Sequence, residues 1–217
     1  MSSLKKLELL PAREQVASLL RKSILSGELR GGQLITLDKI GEQVGMSRTP
    51  VREAFQILAG EGLIELRRNR CAVVKGISPK MIRDHFEMRI LLEGEAARRA
   101  CANNNDFSDI FDQYNQGKIA SQNNDFHQYT ICNQKFHMRI WEHADNEKLK
   151  LFLTQLWNGL SRDRHMPQDK YLKISQAEHD KIIDAFLKHD PEASQNAMRY
   201  HIQRSMEDML SSFKQLN

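Results

Sequence analysis

The residues from Thr36 to Val74 constrain the fold more than any other stretch. Their centre is Ser47-Arg48-Thr49-Pro50-Val51-Arg52-Glu53-Ala54-Phe55. From Val51 the apolar side chains fall at Val51, Ala54, Phe55 and Leu58, the i, i+3, i+4, i+7 spacing of a helix with one buried face. Arg48, Arg52 and Gln56 recur every fourth residue on another face, which sets two guanidinium groups and an amide side by side. Ser47 or Thr49 is suited to cap the start, and Pro50 is tolerated in a first turn, where its missing N–H has no partner to lose. A short helix with a donor-rich N-terminal end fits a DNA major groove. There an Arg bonds a guanine edge in bidentate fashion, and Thr49 meets a base edge or a phosphate.

The flanking residues predict the rest of that module. Leu37, Ile40 and Val44 form a second short amphipathic helix, with Thr36 as N-cap and Gly45 as the turn residue that ends it. Helix, tight turn with Gly, then a helix with an exposed basic end is a helix-turn-helix. Gly60-Glu61-Gly62 stops the recognition helix. Leu63–Leu66 and Ala72–Val74 then flank the basic turn Arg67-Arg68-Asn69-Arg70, which reads as a two-stranded hairpin, or wing. Arg68 and Arg70 on that wing are candidate phosphate contacts. A charged surface helix beside an ordinary hairpin is the bland alternative.

The run Leu20-Arg21-Lys22-Ser23-Ile24-Leu25-Ser26-Gly27-Glu28-Leu29, then Gly32-Gln33-Leu34, Val44 to Ala54 and Glu61-Gly62-Leu63-Ile64, resembles the GntR family of bacterial transcription regulators across residues 11 to 75. Two positions depart from the family pattern. Cys71 stands where the wing usually has Gly, which bears on a backbone contact at the wing tip. Asp38 occupies a place where some members carry an Arg for the phosphate backbone, so Lys39 is the candidate to take that contact over.

Charge is unevenly placed. Residues 1–77 hold 13 Lys+Arg against 8 Asp+Glu, a balance of +5, while the remainder stands at −1. The basic excess therefore belongs to the half expected to meet phosphate. Cys71, Cys101 and Cys132 are an odd number without close spacing, which argues against a disulfide framework or a cysteine zinc finger. The stretch from Met1 to Leu10 lacks a signal-peptide core, and no apolar run reaches the length of a membrane span, so a cytoplasmic protein is expected.

Taken in order, a support helix runs from Pro11 to about Ser26, buried through Val16, Leu19, Leu20 and Ile24, with Gly27 as its stop. Lys75-Gly76-Ile77-Ser78-Pro79 is a Gly/Pro linker that divides residues 1–77 from 78–217. Helices are then expected over 79–103, 106–121, 125–143, 147–163, 175–188 and 191–213, separated by Asn- and Asp-rich breaks. The fold class is mainly α, a winged helix-turn-helix followed by an antiparallel six-helix bundle. Arg89-Ile90-Leu91-Leu92-Glu93 with Ala96-Ala97, Phe136-His137, Glu178 to Ile182 and Met198 to Ile202 resemble the ligand-binding (FCD) domain of the FadR-type GntR subfamily. Six helices point to its shorter, VanR-like branch.

Histidine placement marks a candidate site in the bundle. His179 and His201 each lie 11 residues from the turn residue Asp190, so they stand level, roughly 16 Å from the turn, across a helical hairpin. Asn133 and His137, at i and i+4, share one face of the third bundle helix. Three imidazoles and one oxygen donor inside a bundle suit a divalent ion such as zinc or nickel. The resemblance implies a set of Asp, His, His and His, so Asn133 stands at the usual Asp position. A carboxamide there weakens the site and leaves it one unit more positive. Three core histidines bonded to neighbours, or a metal-free anion pocket, are the alternatives. His85, His127, His143, His165 and His189 show no partner pattern and are expected at the surface or in local bonds. The resemblance also makes Arg89 the anchor of a small carboxylate effector; its plainer reading is a salt bridge to Glu93, four residues on.

The expected protein is thus a dimeric regulator that binds double-stranded operator DNA and is released or modulated by an organic acid. Two rivals differ in class. A helical metallohydrolase fused to a DNA-targeting module would need Glu178 as general base, yet adjacency to His179 turns its side chain about 100° away. An architectural DNA-binding protein would have no effector at all.

Overall fold

The computed structural model of the chain describes residues 11–25, 27–68, 70–103, 106–157 and 167–216. These residues fall into two compact units, one ending at Ile77 and the other beginning at Ser78.

In the first unit, helix α1 (Ala12–Leu25) precedes strand β1 (Leu34–Thr36), helices α2 (Leu37–Val44) and α3 (Arg48–Gly60), and strands β2 (Ile64–Arg67) and β3 (Cys71–Val74). The Thr36 hydroxyl accepts the Lys39 amide at 3.3 Å and starts α2. Gly45 ends it at φ 66°, a left-handed conformation that glycine adopts without steric cost. Helix α3 buries Val51, Ala54, Phe55 and Leu58, as the spacing predicts. Ser47 sits at its N-cap position but makes no side-chain capping bond. The Arg21 guanidinium donates Nε to Glu61 Oε2 at 2.8 Å and Nη2 to Oε1 at 2.5 Å, a bidentate clasp from α1 to the end of α3.

Two expectations change here. Leu19 is 54% exposed, because α1 turns Val16, Ala17, Leu20 and Ile24 inward and Leu19 lies off that face. The wing also gains a third strand, since β1 pairs antiparallel with β3 in the order β1-β3-β2. Three residues are too few for a period-2 pattern to show in the sequence.

The second unit holds α4 (Pro79–Ala102), α5 (Ser108–Gln122), α6 (Phe126–His143), α7 (Glu147–Trp157), α8 (Gln168–Leu187) and α9 (Pro191–Leu216). These are the six helices expected, joined by short turns wherever the connection is described. Ser78 caps α4 by accepting the Met81 amide, Asp125 caps α6 and Asp190 caps α9. Helix α4 packs along α9, and α8 packs on α5, α6 and α9. The expected 147–163 helix is seen to Trp157, and its remainder lies outside the described residues. Helix α8 starts seven residues before the expected Ser175. That serine is fully buried in mid-helix, while Tyr171 and Leu172 anchor the extra turns against Ala120 and Tyr129.

Candidate functional site

On α3 the buried residues and the polar ones separate cleanly. Arg48, Thr49, Arg52 and Gln56 are exposed, as are Lys39 on α2 and Arg68 and Arg70 on the wing. Arg48 Nε donates to the carboxylate of Asp38. Arg70 takes the left-handed conformation at φ 61°, and its carbonyl accepts the Leu37 amide at 3.1 Å. The tip's positive φ therefore falls on Arg70, and Cys71 instead opens β3 and donates its thiol to the Arg68 carbonyl at 3.0 Å.

In the bundle, α6, α8 and α9 bring His137, His179 and His201 together. Each is at most 2% exposed, and the three offer ligand atoms within 4.8 Å of one another. The level placement across the α8–α9 hairpin is thus real, with the rings of His179 and His201 centred 4.8 Å apart. Asn133 lies one turn before His137 on the same face, is 6% exposed, and its Oδ1 has no hydrogen-bond partner. An unsatisfied buried carbonyl oxygen is costly, so its orientation asks for a donor or a cation.

Behind the histidines stand two buried carboxylates. His137 Nδ1 lies 2.6 Å from Glu93 Oε2, and His201 Nδ1 lies 2.7 Å from Glu178 Oε2. Each carboxylate is held in turn by an arginine. Arg89 Nε donates to Glu93 Oε1 at 2.8 Å, and Arg204 Nε donates to Glu178 Oε1 at 2.5 Å. Two Arg–Glu–His relays, one from α4 to α6 and one within α8 and α9, therefore end on the same centre. A carboxylate on Nδ1 fixes the tautomer and makes Nε2 the atom the ring offers to a metal. Burial alone would push the Glu93 carboxyl up, but Arg89 and His137 hold it down to about 2, so it stays ionised.

The donor set fits a divalent ion. His137, His179 and His201 would hold it, with Asn133 Oδ1 on the same face as His137. Phe136, centred 4.5 Å from His179, and Trp157, 5.0 Å from His137, pack aromatic rings against the cluster.

Sequence reasoning placed Glu178 away from the centre, and the structure corrects this. Helix α8 is packed on several sides, so Glu178 is buried at 5% beside a buried His179. It faces His201 and Arg204 as an orienting group. Arg204 was not anticipated, although its place three residues after His201 was the available signal. Arg89 is buried at 5% and stacks over Trp157 at 4.9 Å and Phe86 at 5.4 Å. The anion its burial requires is Glu93 itself. Arg89 Nη2 is 2.6 Å from Glu93 Oε1, yet the angle is not that of a hydrogen bond. Of the remaining histidines, His143 pairs with Asp109 at 2.8 Å, while His127 and His189 are exposed. His85 is half-buried, and desolvation with the nearby Arg89 lowers its pKa to about 3. His165 lies outside the described residues.

A winged helix with an exposed basic recognition helix, followed by an all-helical unit around a buried histidine cluster, is the architecture of a DNA-binding transcription regulator. The family model described as bacterial regulatory proteins, gntR family, matches residues 12–74, and that of the FCD domain matches residues 84–204. The chain belongs to the GntR family, among the members that carry an FCD domain. It is 28% identical to the Glc operon transcriptional activator of Escherichia coli K12 over 221 residues, covering 88% of this chain and 86% of that protein. It is 27% identical over 203 residues to the HTH-type transcriptional repressor RspR of the same strain, covering 92% and 89%. Among solved structures, E. coli McbR/YncC superposes with a TM-score of 0.73 at 20% identity, over 96% of this chain and 100% of that one. No helix among the described residues is long and apolar enough to cross a membrane.

Proposed function

We propose that this regulator is a homodimeric cytoplasmic repressor of the FadR-type, VanR-like branch, whose bundle binds a divalent metal and, through it, a small carboxylate effector. The observation that carries this reading is the pair of Arg–Glu–His relays ending on one buried centre. A carboxylate on one ring nitrogen also suits an ordinary core histidine; it is the convergence of two carboxylate-backed imidazoles with a third, beside an unsatisfied amide oxygen, that supports a metal.

Charge points to the effector. Imidazole and carboxamide ligands bring no charge to an ion, and Glu93 and Glu178 are each bonded to an arginine, Arg204 being shared with Asp208. A divalent ion there keeps an excess of positive charge in a buried place, which is costly until an anion joins it. A carboxylate would complete the coordination, with Arg89 Nη2 as a further donor. Both signs of regulation occur among relatives, as the activator and repressor names show. Repression follows from the simplest coupling, in which a ligand that prefers one bundle geometry moves the paired recognition helices off the spacing the operator needs.

Thermal unfolding of the full chain against a panel of small carboxylates, with zinc or nickel and again after chelation, tests the reading. A carboxylate that raises the melting temperature only with metal supports it, by mass action on the native state. Stabilisation of the same size without metal would support an anion pocket and overturn the metal reading.

A further inference from the structure

We propose that Asp38 is a specificity-determining residue of DNA recognition, acting by holding Arg48 for a base edge and away from the phosphate backbone. The proposal rests on the DNA-binding reading of the winged helix and is independent of the bundle.

Asp38 sits in the first turn of α2 and Arg48 is the first residue of α3, so the two helix N-termini are joined by one ion pair. Both side chains are more than half exposed, on the surface that carries Lys39, Thr49 and Arg52. A carboxylate in that company is unexpected. Facing phosphate it repels, and an exposed ion pair adds little to the stability of the fold. Its hydrogen bond is to Arg48 Nε. The two terminal nitrogens are the pair that meets guanine O6 and N7. A guanidinium pinned at Nε loses less freedom when it docks, and its partly neutralised charge has a weaker pull towards phosphate. Asp38 thereby exchanges non-specific affinity for base discrimination.

The test begins with selection from a pool of randomised duplexes by the full-length protein, which yields its preferred site. Affinities for that duplex, its single-base variants and a scrambled duplex are then measured for the wild type, Asp38→Asn, Asp38→Ala and Arg48→Ala. Arg48→Ala should relax preference at one base pair per half-site, and both Asp38 variants should relax the same one about tenfold. On the scrambled duplex the Asp38 variants should bind more tightly than the wild type, with a steeper salt dependence, and Arg48→Ala more weakly. A merely structural role would lower all affinities together. Asp38 variants that keep wild-type discrimination, or that relax a different base pair from Arg48→Ala, overturn the proposal while leaving Arg48 as a reader. If Arg48→Ala changes no preference, or no duplex is selected, Arg48 does not read a base and both ideas fail.

Discussion

Glu178 shows how a single carboxylate can be misread from its neighbours in sequence and understood from its neighbours in space. It lies between His201 Nδ1 and Arg204 Nε, the place of a group that orients the ring. Glu178→Gln should therefore weaken zinc or nickel affinity by about 10–100-fold, as measured by calorimetric titration, because the charge behind the ligand is gone. An unchanged affinity would remove the relay from the account. His85 makes a separate prediction about acid. Its folded pKa, lowered to about 3 by desolvation and Arg89 against the opposing pull of Glu93, lies below the unfolded value of 6.5. The unfolded chain takes up a proton first, so stability is lost as pH falls from 6.5 towards 3. Between pH 7 and pH 5 the wild type should lose about 2 kcal/mol more than His85→Gln in urea unfolding. Parallel losses would show that His85 is protonated in the fold. His179 and His201 were legible because helical rise and the Asp190 turn fix their level, and His137 through the helix face it shares with Asn133. Of the groups behind them, the Arg89–Glu93 pair was legible as an i, i+4 salt bridge; the bond of Glu93 to His137 and the place of Glu178 and Arg204 were not, since the sequence cannot say which faces of a helix are packed on two sides.

At the scale of elements, periodicity served where a helix has one buried face and failed where it has several. Helix α3 has one apolar stripe, and its buried residues are those the spacing marks. Helix α8 buries ten residues around much of its circumference, so its start did not stand out, and His179 was marked by its distance from the Asp190 turn and not by an apolar stripe. Strand β1 escaped because its pairing with β3 joins residues far apart in the chain. The α4–α9 contact, which joins the Arg89–Glu93 helix to the His201 helix, depends on Gly94. A Cβ there would meet Arg199 Cγ at 2.7 Å. Gly94→Ala should destabilise the chain by about 1–3 kcal/mol, read as a lowered urea midpoint, since Arg199 must shift from near its root to make room. Stability equal to or above the wild type would mean that the helices part without cost.

For the whole molecule, one recognition helix covers too few base pairs to select a site, so a two-fold pair is expected. The full chain should sediment at twice its own mass, and a monomer would remove the spacing mechanism of control. Since the chain forms two compact units, loss of the sensor is expected to spare DNA binding. The central claim is that a divalent ion binds at His137, His179 and His201, and calorimetric titration of chelator-treated full-length protein with zinc or nickel tests it most directly. The account predicts close to one ion per chain, weaker binding as pH falls and protons compete for the imidazoles, tighter binding in Asn133→Asp, and no binding in His179→Ala, which should still hold DNA. No uptake by either the wild type or Asn133→Asp, or equal uptake by His179→Ala, would contradict it.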